Sequence, residues 1–341
     1  NERANYEAAY AIRDILDGLP ENEVFSLLDP KMVERVQYLV PSYLIDNLKN
    51  LAMVVLCLDK LKPDGIILHN DVESIPRLAA MWAKARGVPC LHLPHAVYLE
   101  QKNRAPVGCD VHDLVTASHL ACAGWFQRQW YFERGFPSEN IIEVGIPRMD
   151  KLCNMKMERD RIYDIFKLNP KWPTIVYASS WWQGTSMTEF EDLVRPAFMA
   201  FLETAKRVDG VNWIVKLHPR APKENDDWHV EAIKQSGVKA ILVKEYLELI
   251  FQVANVLVMF GPSNIAFEAG LLGVQMVSIN GFYNDPEVTT VGISSDEIGN
   301  GMKQALTNKI PLQNFLLKYI GVHDGQSTKR ALEYAHGLFR V

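Results

Sequence analysis

Several short stretches of this chain carry side chains suited to holding a negatively charged group. The most informative runs Val258-Met259-Phe260-Gly261-Pro262-Ser263-Asn264-Ile265-Ala266-Phe267-Glu268-Ala269-Gly270. It reads as a buried strand, a tight turn of small polar residues, and a helix. Such a turn delivers free backbone N–H groups at a helix N-terminus, where the dipole favours an anion. Ser263 and Asn264 add side-chain donors, and Glu268, spaced i, i+4 from Asn264, returns toward the turn. A phosphate on the turn and a ribose hydroxyl on the carboxylate would suit that geometry. The plain alternative is an ordinary βα turn with a capping serine and a solvated glutamate.

The second element is His218-Pro219-Arg220 at the end of an apolar run. Pro219 removes a backbone donor and fixes φ, so the strand ends sharply. His218 and Arg220 can both donate to phosphate oxygens, Arg220 in bidentate fashion. A packed structural histidine is the competing reading. A third strand ends in Ser179-Ser180, followed by Gln183-Gly184-Thr185-Ser186, with Trp181-Trp182 between them; the tryptophans suit either stacking on a ligand or burial. In the N-terminal half, Asp71 and His95 follow apolar runs. Each is a candidate general base for a hydroxyl proton, with Glu73 as the neighbour and rival of Asp71. Asp71 equally suits a helix N-cap. Asp226-Asp227 reads as solvated loop, and Gly281 to Asp285 as a polar loop that could line the same cleft. No GxGxxG fingerprint, Walker sequence or DxD-type metal motif is present, so no metal site is expected.

The elements that must position these residues alternate regularly. Tyr6–Leu19 and Pro41–Leu58 have helical spacing. Gly65–His69 (strand), Ile75–Arg86 (helix, closed by Gly87) and Val88–Leu93 (strand) form one β-α-β unit, which implies a parallel sheet. Leu114–Ala117 and Ala121–Gly124 are read as short strands, Trp125–Arg134 as a helix, and Ile141–Val144 as a strand before Gly145-Ile146-Pro147-Arg148. Residues 151–170 are polar and helical, a connector. A second series comes after it: strands at Thr174–Ala178, Trp213–Leu217, Ala240–Val243, Val256–Phe260 and Gln275–Ile279, with helices at Glu191–Val208, Trp228–Gln235, Leu247–Val253 and Ile265–Leu272. The expected fold is α/β, two Rossmann-like domains facing a cleft. Residues 1–150 form the N-terminal domain, 151–170 the connector and 171–341 the C-terminal domain with further helices. Ligands of such sheets bind beyond the carboxyl ends of the strands.

Composition narrows the class. The 341 residues suffice for roughly two domains, and 48% hydrophobic with 23% charged residues is ordinary for a globular protein. A net charge of -5 gives no global pull toward nucleic acid. The five cysteines (Cys57, Cys90, Cys109, Cys122 and Cys153) show no zinc or CxxC spacing, and free thiols in a reducing cytoplasm are expected. No apolar run reaches the roughly 18 residues that span a bilayer. The start, Asn1-Glu2-Arg3, is no signal peptide, and the missing initial Met suggests a piece of a longer protein.

At these residues the chain resembles the GT-B glycosyltransferase superfamily. Within it, the chain is similar to the transferases of capsule and teichoic-acid type that use cytidine-activated donors: CDP-glycerol glycerophosphotransferases, Kdo transferases of capsule assembly and bacterial sialyltransferases. The UDP-N-acetylglucosamine 2-epimerases share that architecture. The resemblance spans about residues 60–285. It rests on His218-Pro219-Arg220, on Ser263-Asn264 with Phe267-Glu268-Ala269, on Gly87-Val88-Pro89 through His95, and on Gly124 through Gly145-Ile146-Pro147-Arg148-Met149-Asp150. Asn264 stands where those families favour Ser, and Ala96 where they have Gly.

The resemblance implies that His218 contacts the donor phosphate or leaving group, Ser263 and Asn264 the nucleotide phosphate, and Glu268 the ribose, with His95 on the acceptor side. The donor-binding set expected is therefore Ser179, Ser180, His218, Pro219, Arg220, Gly261, Ser263, Asn264 and Glu268. The catalytic set is Asp71, His95 and His218. The expected activity is an inverting, metal-independent glycosyl or glycerophosphate transfer from a nucleotide-activated, cytidine-linked donor to a glycan or glycolipid acceptor. The nucleotide sugar is a substrate, so no cofactor is expected, and neither is a nucleic-acid partner. The expected location is cytoplasmic, with attachment at the inner membrane face or to a larger assembly enzyme open. The alternatives are a nucleotide-sugar epimerase or hydrolase, and a catalytically inactive glycan-binding module.

Overall fold

The computed structural model describes residues 47–339 apart from 48, 71–72, 94–96, 98, 102–103, 108–115, 180–192, 220, 261–262 and 281–284. The chain divides into two compact units. One comprises 1–93, 113–120 and 335–341, the other 94–112 and 121–334.

In the first unit, a helix over residues 49–61 (α1) leads into β1 (Ile66–Leu68), α2 (Ser74–Arg86) and β2 (Cys90–His92). Gly87 closes α2 with φ +66, and its N–H reaches back to the helix carbonyls. This left-handed C-cap is one that glycine adopts without steric cost. The strands β1 and β2 pair in parallel, and β2 pairs in parallel with the first residues of β5 (His119–Cys122). Ala80, Trp82, Ala83, Cys90 and Ala117 form the core. Trp82 Nε1 donates to Asp59 at 3.0 Å and so joins α2 to α1. The expectation on Tyr6–Leu19 lies outside the described residues, as does the start of the second run, Pro41–Leu58; the described part of that run is helical and continues to residue 61 in α1. The expected strand at Leu114–Ala117 is corrected at its described end: Thr116 and Ala117 are not in a strand, and β5 begins at His119. Ser118 explains the offset, because its hydroxyl pairs with the Cys90 backbone at the point where the sheet begins.

The second unit holds a hairpin that alternation did not suggest, β3 (Leu99–Gln101) and β4 (Arg104–Val107), paired antiparallel. After β5 come α3 (Trp125–Glu133), with Gly124 as its N-cap, and β6 (Ile141–Glu143), next to β5 in sheet order β1-β2-β5-β6. Two short helices, α4 (Asp150–Cys153) and α5 (Arg159–Phe166), occupy the expected connector.

The main sheet contains β7 (Thr174–Ala178), β8 (Asn212–Lys216), β9 (Ala240–Val243), β10 (Val256–Phe260), β11 (Gln275–Ile279) and β12 (Val288–Val291). Its spatial order is β12-β11-β10-β7-β8-β9, and all neighbours are parallel. The chain thus builds outward from β7 to β9, returns to the other side of β7 with β10, and builds outward again. This is the doubly wound Rossmann order. Every residue of β7, β8, β10 and β11 is buried, which is why these segments read as unbroken apolar runs rather than alternating ones.

The crossovers are α6 (Arg195–Lys206), α7 (Lys223–Ser236), α8 (Leu247–Val253) and α9 (Ile265–Leu271). Three helices end the unit: α10 (Ser295–Thr307), α11 (Gln313–Ile320) and α12 (Ser327–Phe339, whose last residues belong to the first unit). Tyr177, Phe198 and Phe201 pack in one aromatic cluster, and Phe267, Phe315 and Tyr319 in another. The Asp226-Asp227 expectation is corrected. Asp226 lies in the first turn of α7, where an acidic side chain complements the helix dipole, and Asp227 follows it on the same helix; they pair with Lys244 and Lys223.

Candidate active site at the strand switch point

Strand order reverses between β7 and β10, so a ligand crevice belongs beyond their carboxyl ends. The register places Ala178 level with Lys216 on one side and Met259 on the other, so the three strand ends finish together. Ser179 stands directly beyond β7, His218 two residues beyond β8 and Ser263 three residues beyond β10.

Ser179 is buried and ties two ends to each other. Its N–H donates to Lys216 O at 2.9 Å, and its hydroxyl accepts from His218 N–H at 2.9 Å. The Ala221 N–H donates back to His218 O at 3.1 Å and closes a turn over 218–221. His218 is half-buried at the start of this turn, and Pro219 is exposed. Pre-set φ is what makes proline suit the second position of such a turn.

The turn after β10 is tighter than its sequence suggests. Ile265 N–H lies 3.4 Å from Ser263 Oγ, Ala266 N–H donates to Ser263 O, and Phe267 N–H to Asn264 O, both at 3.1 Å. These amides, expected to face an anion, are engaged inside the turn by 3₁₀-type bonds. Asn264 has helical dihedrals and makes no side-chain cap. Its Oδ1 instead accepts from Val97 N–H at 3.2 Å, a contact across 167 positions of sequence. A serine, as in the resembling families, has too short a side chain to span the same distance.

Glu268 lies one turn into α9. Its side chain is only 16% exposed and meets Arg148, from the turn Pro147–Met149, at 3.2 Å. Burial pushes the carboxyl pKa up, Arg148 and Lys216 pull it down, and Glu248 pushes it up again; the net displacement is upward. Lys216 is a buried cation that no motif marked. Its Nζ donates to Leu217 O at 2.7 Å and Lys244 O at 2.8 Å, and burial holds its pKa below the usual lysine value. The signal for it was present: a lysine closing the otherwise apolar strand Trp213-Ile214-Val215. Arg148 was likewise given no role beyond its place in a motif.

Two motif positions are structural. Gly145, at φ +85, lies against Val322 O and Ser327 Oγ, where a Cβ would fall 3.0 and 2.5 Å away. Asp150 accepts from the Ser327 and Thr328 N–H groups at 2.9 and 2.7 Å, capping α12 from another element. Asp285 is buried against Lys318 Nζ at 2.8 Å and the Tyr319 hydroxyl at 2.7 Å, an internal pair.

Asp71, His95, Ser180, Arg220 and Gly261 lie outside the described residues. Glu73, the rival of Asp71, is the N-cap residue of α2, and its N–H lies 3.3 Å from Asn70 Oδ1. Among the described residues, no group of three or more His, Cys, Asp or Glu is arranged to hold a metal ion, and no helix is long and apolar enough to cross a membrane.

Residues 84–267, more than half of the 341, match the family described as CDP-Glycerol:Poly(glycerophosphate) glycerophosphotransferase. No curated protein matches the chain. Among solved structures, UDP-GlcNAc 2-epimerase from Neisseria meningitidis bound to UDP-GlcNAc is similar at 16% identity and a TM-score of 0.63, over 86% of this chain and 81% of that one. The UDP-GlcNAc 2-epimerase from Methanocaldococcus jannaschii is similar at 16% identity and a TM-score of 0.59, over 85% and 82%. A glycosyltransferase from Rickettsia africae is similar at 11% identity and a TM-score of 0.52, over 86% and 81%. At these identities the likeness is one of fold, and it meets the expectation of an α/β protein with GT-B, Rossmann-like sheets.

Proposed function

This chain belongs to the CDP-glycerol:poly(glycerophosphate) glycerophosphotransferase family, a family of transferases, and we propose that it is an inverting, metal-independent transferase with a cytidine-linked donor. It moves a glycosyl or glycerophosphate group to a hydroxyl of a surface glycan or glycolipid. The observation that carries this reading is the convergence of His218, the Ser263-Asn264 turn and Glu268 at one strand switch point, inside or at the edge of the stretch that matches the family. The nucleotide sugar bound by a neighbour of the same fold supports a nucleotide-activated donor.

In this reading, residues 171–341 carry the donor, 151–170 join the domains, and 1–150 carry the acceptor. Glu268 accepts from the ribose hydroxyls. His218, Arg220 and the Ser263 hydroxyl donate to the departing phosphate, with Ser180, Gly261 and Asn264 completing the donor-binding set. The buried Lys216 ammonium, held on Leu217 O and Lys244 O, adds a fixed positive charge at the end of β8. Charge on the leaving group is met by these oriented cations and donors. Ser179 fixes the His218 backbone, so the imidazole need not be organised during the reaction. Asp71 or His95 takes the acceptor proton as the hydroxyl attacks from the face opposite the leaving group. The reaction takes place in the cytoplasm at the inner membrane face, where the acceptor is presented.

A thermal-shift panel of CMP, CDP, UDP, GDP and ADP tests the proposal. A clear preference for CMP or CDP is the expected outcome, and no shift with any nucleotide would overturn it. Full turnover in His218→Ala would remove His218 from the mechanism.

A further inference from the structure

Arg148 has no part in the donor and acceptor roles of the proposed reaction, yet its guanidinium is placed against the carboxylate of Glu268. The Nη1–Oε1 distance is 3.2 Å, with Glu268 16% exposed and Arg148 47%. The arginine stands on a 3₁₀ turn held from both sides: Gly145 has no space for a Cβ, and Asp150 caps α12. Its backbone is therefore tied to the segment from Val322 to Thr328 by contacts that do not involve the ligand.

We infer that Arg148 is a positioning residue that keeps Glu268 ionised and oriented so that the carboxylate accepts from both ribose hydroxyls of the donor. This rests on Glu268 being the ribose-binding group of the proposed function. The surroundings of Glu268 require such a partner. The charged groups facing it are Arg148 from the 147–149 turn, Lys216 from β8 and Glu248 from α8. Lys216 is committed to two backbone carbonyls, and Glu248 is repulsive, though itself paired with Lys151 at 2.9 Å. Burial already pushes the Glu268 pKa up, and removing Arg148 raises it further. A protonated Glu268 has lost charge and one acceptor site, and hydrogen bonds from hydroxyls to a neutral acid are about half as strong as those to a carboxylate.

The test compares CDP with 2′-deoxy-CDP by calorimetry on the full chain, as wild type, Arg148→Met, Arg148→Lys and Glu268→Gln, between pH 6 and 9. Loss of one hydrogen bond to a charged acceptor is worth about tenfold in affinity. Wild type should therefore bind CDP about tenfold more tightly than the deoxy analogue across the range. In Arg148→Met the ratio should fall below the wild-type value at the acid end of the range and rise with pH as Glu268 ionises. Arg148→Lys should restore much of it. Glu268→Gln should show a low ratio at every pH, and adding Arg148→Met to it should change nothing further. A merely structural arginine would alter both affinities together and leave their ratio and its pH profile as in wild type; that result overturns the inference while leaving Glu268 on the ribose. A wild type that does not distinguish the two nucleotides, or binds neither, overturns the Glu268 reading and the inference with it.

Discussion

Replacing Asp150 with alanine should lower thermal stability while leaving the chemistry intact, although Asp150 lies in a segment that resembles a transferase motif. The carboxylate accepts from the Ser327 and Thr328 N–H groups at 2.9 and 2.7 Å, the first amides of α12. Those amides have no partner within their own helix. A hydrogen bond to a charged acceptor contributes about 1.5–3 kcal/mol, and a carboxylate at a helix N-terminus about 0.3–1 kcal/mol. Thr328 is exposed and can turn to water, so the lower end applies, about 2 kcal/mol in all. For a unit of this size that is a fall in Tm of about 4–8 °C. Desolvation pushes the Asp150 pKa up, but the hydrogen bonds from Thr328 and Ser327 outweigh it and leave it lowered. A lowered folded-state pKa means the contribution is present above the unfolded value of about 3.9 and is lost as the pH falls through the folded one. The difference in Tm between wild type and Asp150→Ala should thus narrow in acid. Asp150→Asn keeps one acceptor oxygen without the charge and should fall between the two. Scanning calorimetry and steady-state kinetics measured well below the melting transition check this. An unchanged Tm with lost kcat would refute the structural assignment and make Asp150 part of the chemistry.

Close packing and burial give two further expected outcomes. In Gly124→Ala the new Cβ would lie 2.7 Å from Gly321 N and 2.9 Å from Lys318 O and Tyr319 C, all backbone, so the α3–α11 contact must move; a loss of about 1–3 kcal/mol in urea unfolding is expected. His229 is fully buried against Phe198 and Trp228, with Nδ1 at 2.7 Å from Asn225 O, and burial lowers its pKa. The unfolded chain then binds more protons than the native one below about pH 6.5, so stability should drop as the pH falls through that region. His229→Phe should flatten that slope, and an identical slope in the variant would assign it to other groups.

Much of the second unit was legible because its strands are buried on both faces. Val256–Phe260 and Gln275–Ile279 stand out as apolar runs whatever the rest of the chain does, and their limits match the observed strands. Helix ends were harder. The helix expected at Trp228 begins at Lys223, since its first turn is entirely polar and carries no apolar period to detect. The hairpin at 99–107 and the edge strand Val288–Val291 were missed because both are built from short strands; β12 is also half-buried, and its pairing with β11 becomes apparent only once the sheet is assembled.

The site divides along the same line. Polar residues placed directly after buried strands are a local property, so His218, Ser179, Ser263 and Glu268 could be picked out from residue type and spacing alone. Family membership also resides in that local pattern. Which of these side chains answer to one another is not local. Ser179 holds the His218 amide across 39 positions, Asn264 reaches Val97 across 167, and Arg148 finds Glu268 from a different element. The sequence by itself determined the doubly wound class and the polar strand ends, because burial and turn chemistry act between near neighbours. Only the tertiary structure decided that the turn's first amides are internally satisfied, that Asp150 is a cap, and that Lys216 and Arg148 flank the carboxylate. Those facts depend on which strand returns beside β7, and the return is set by long-range pairing that no local pattern encodes.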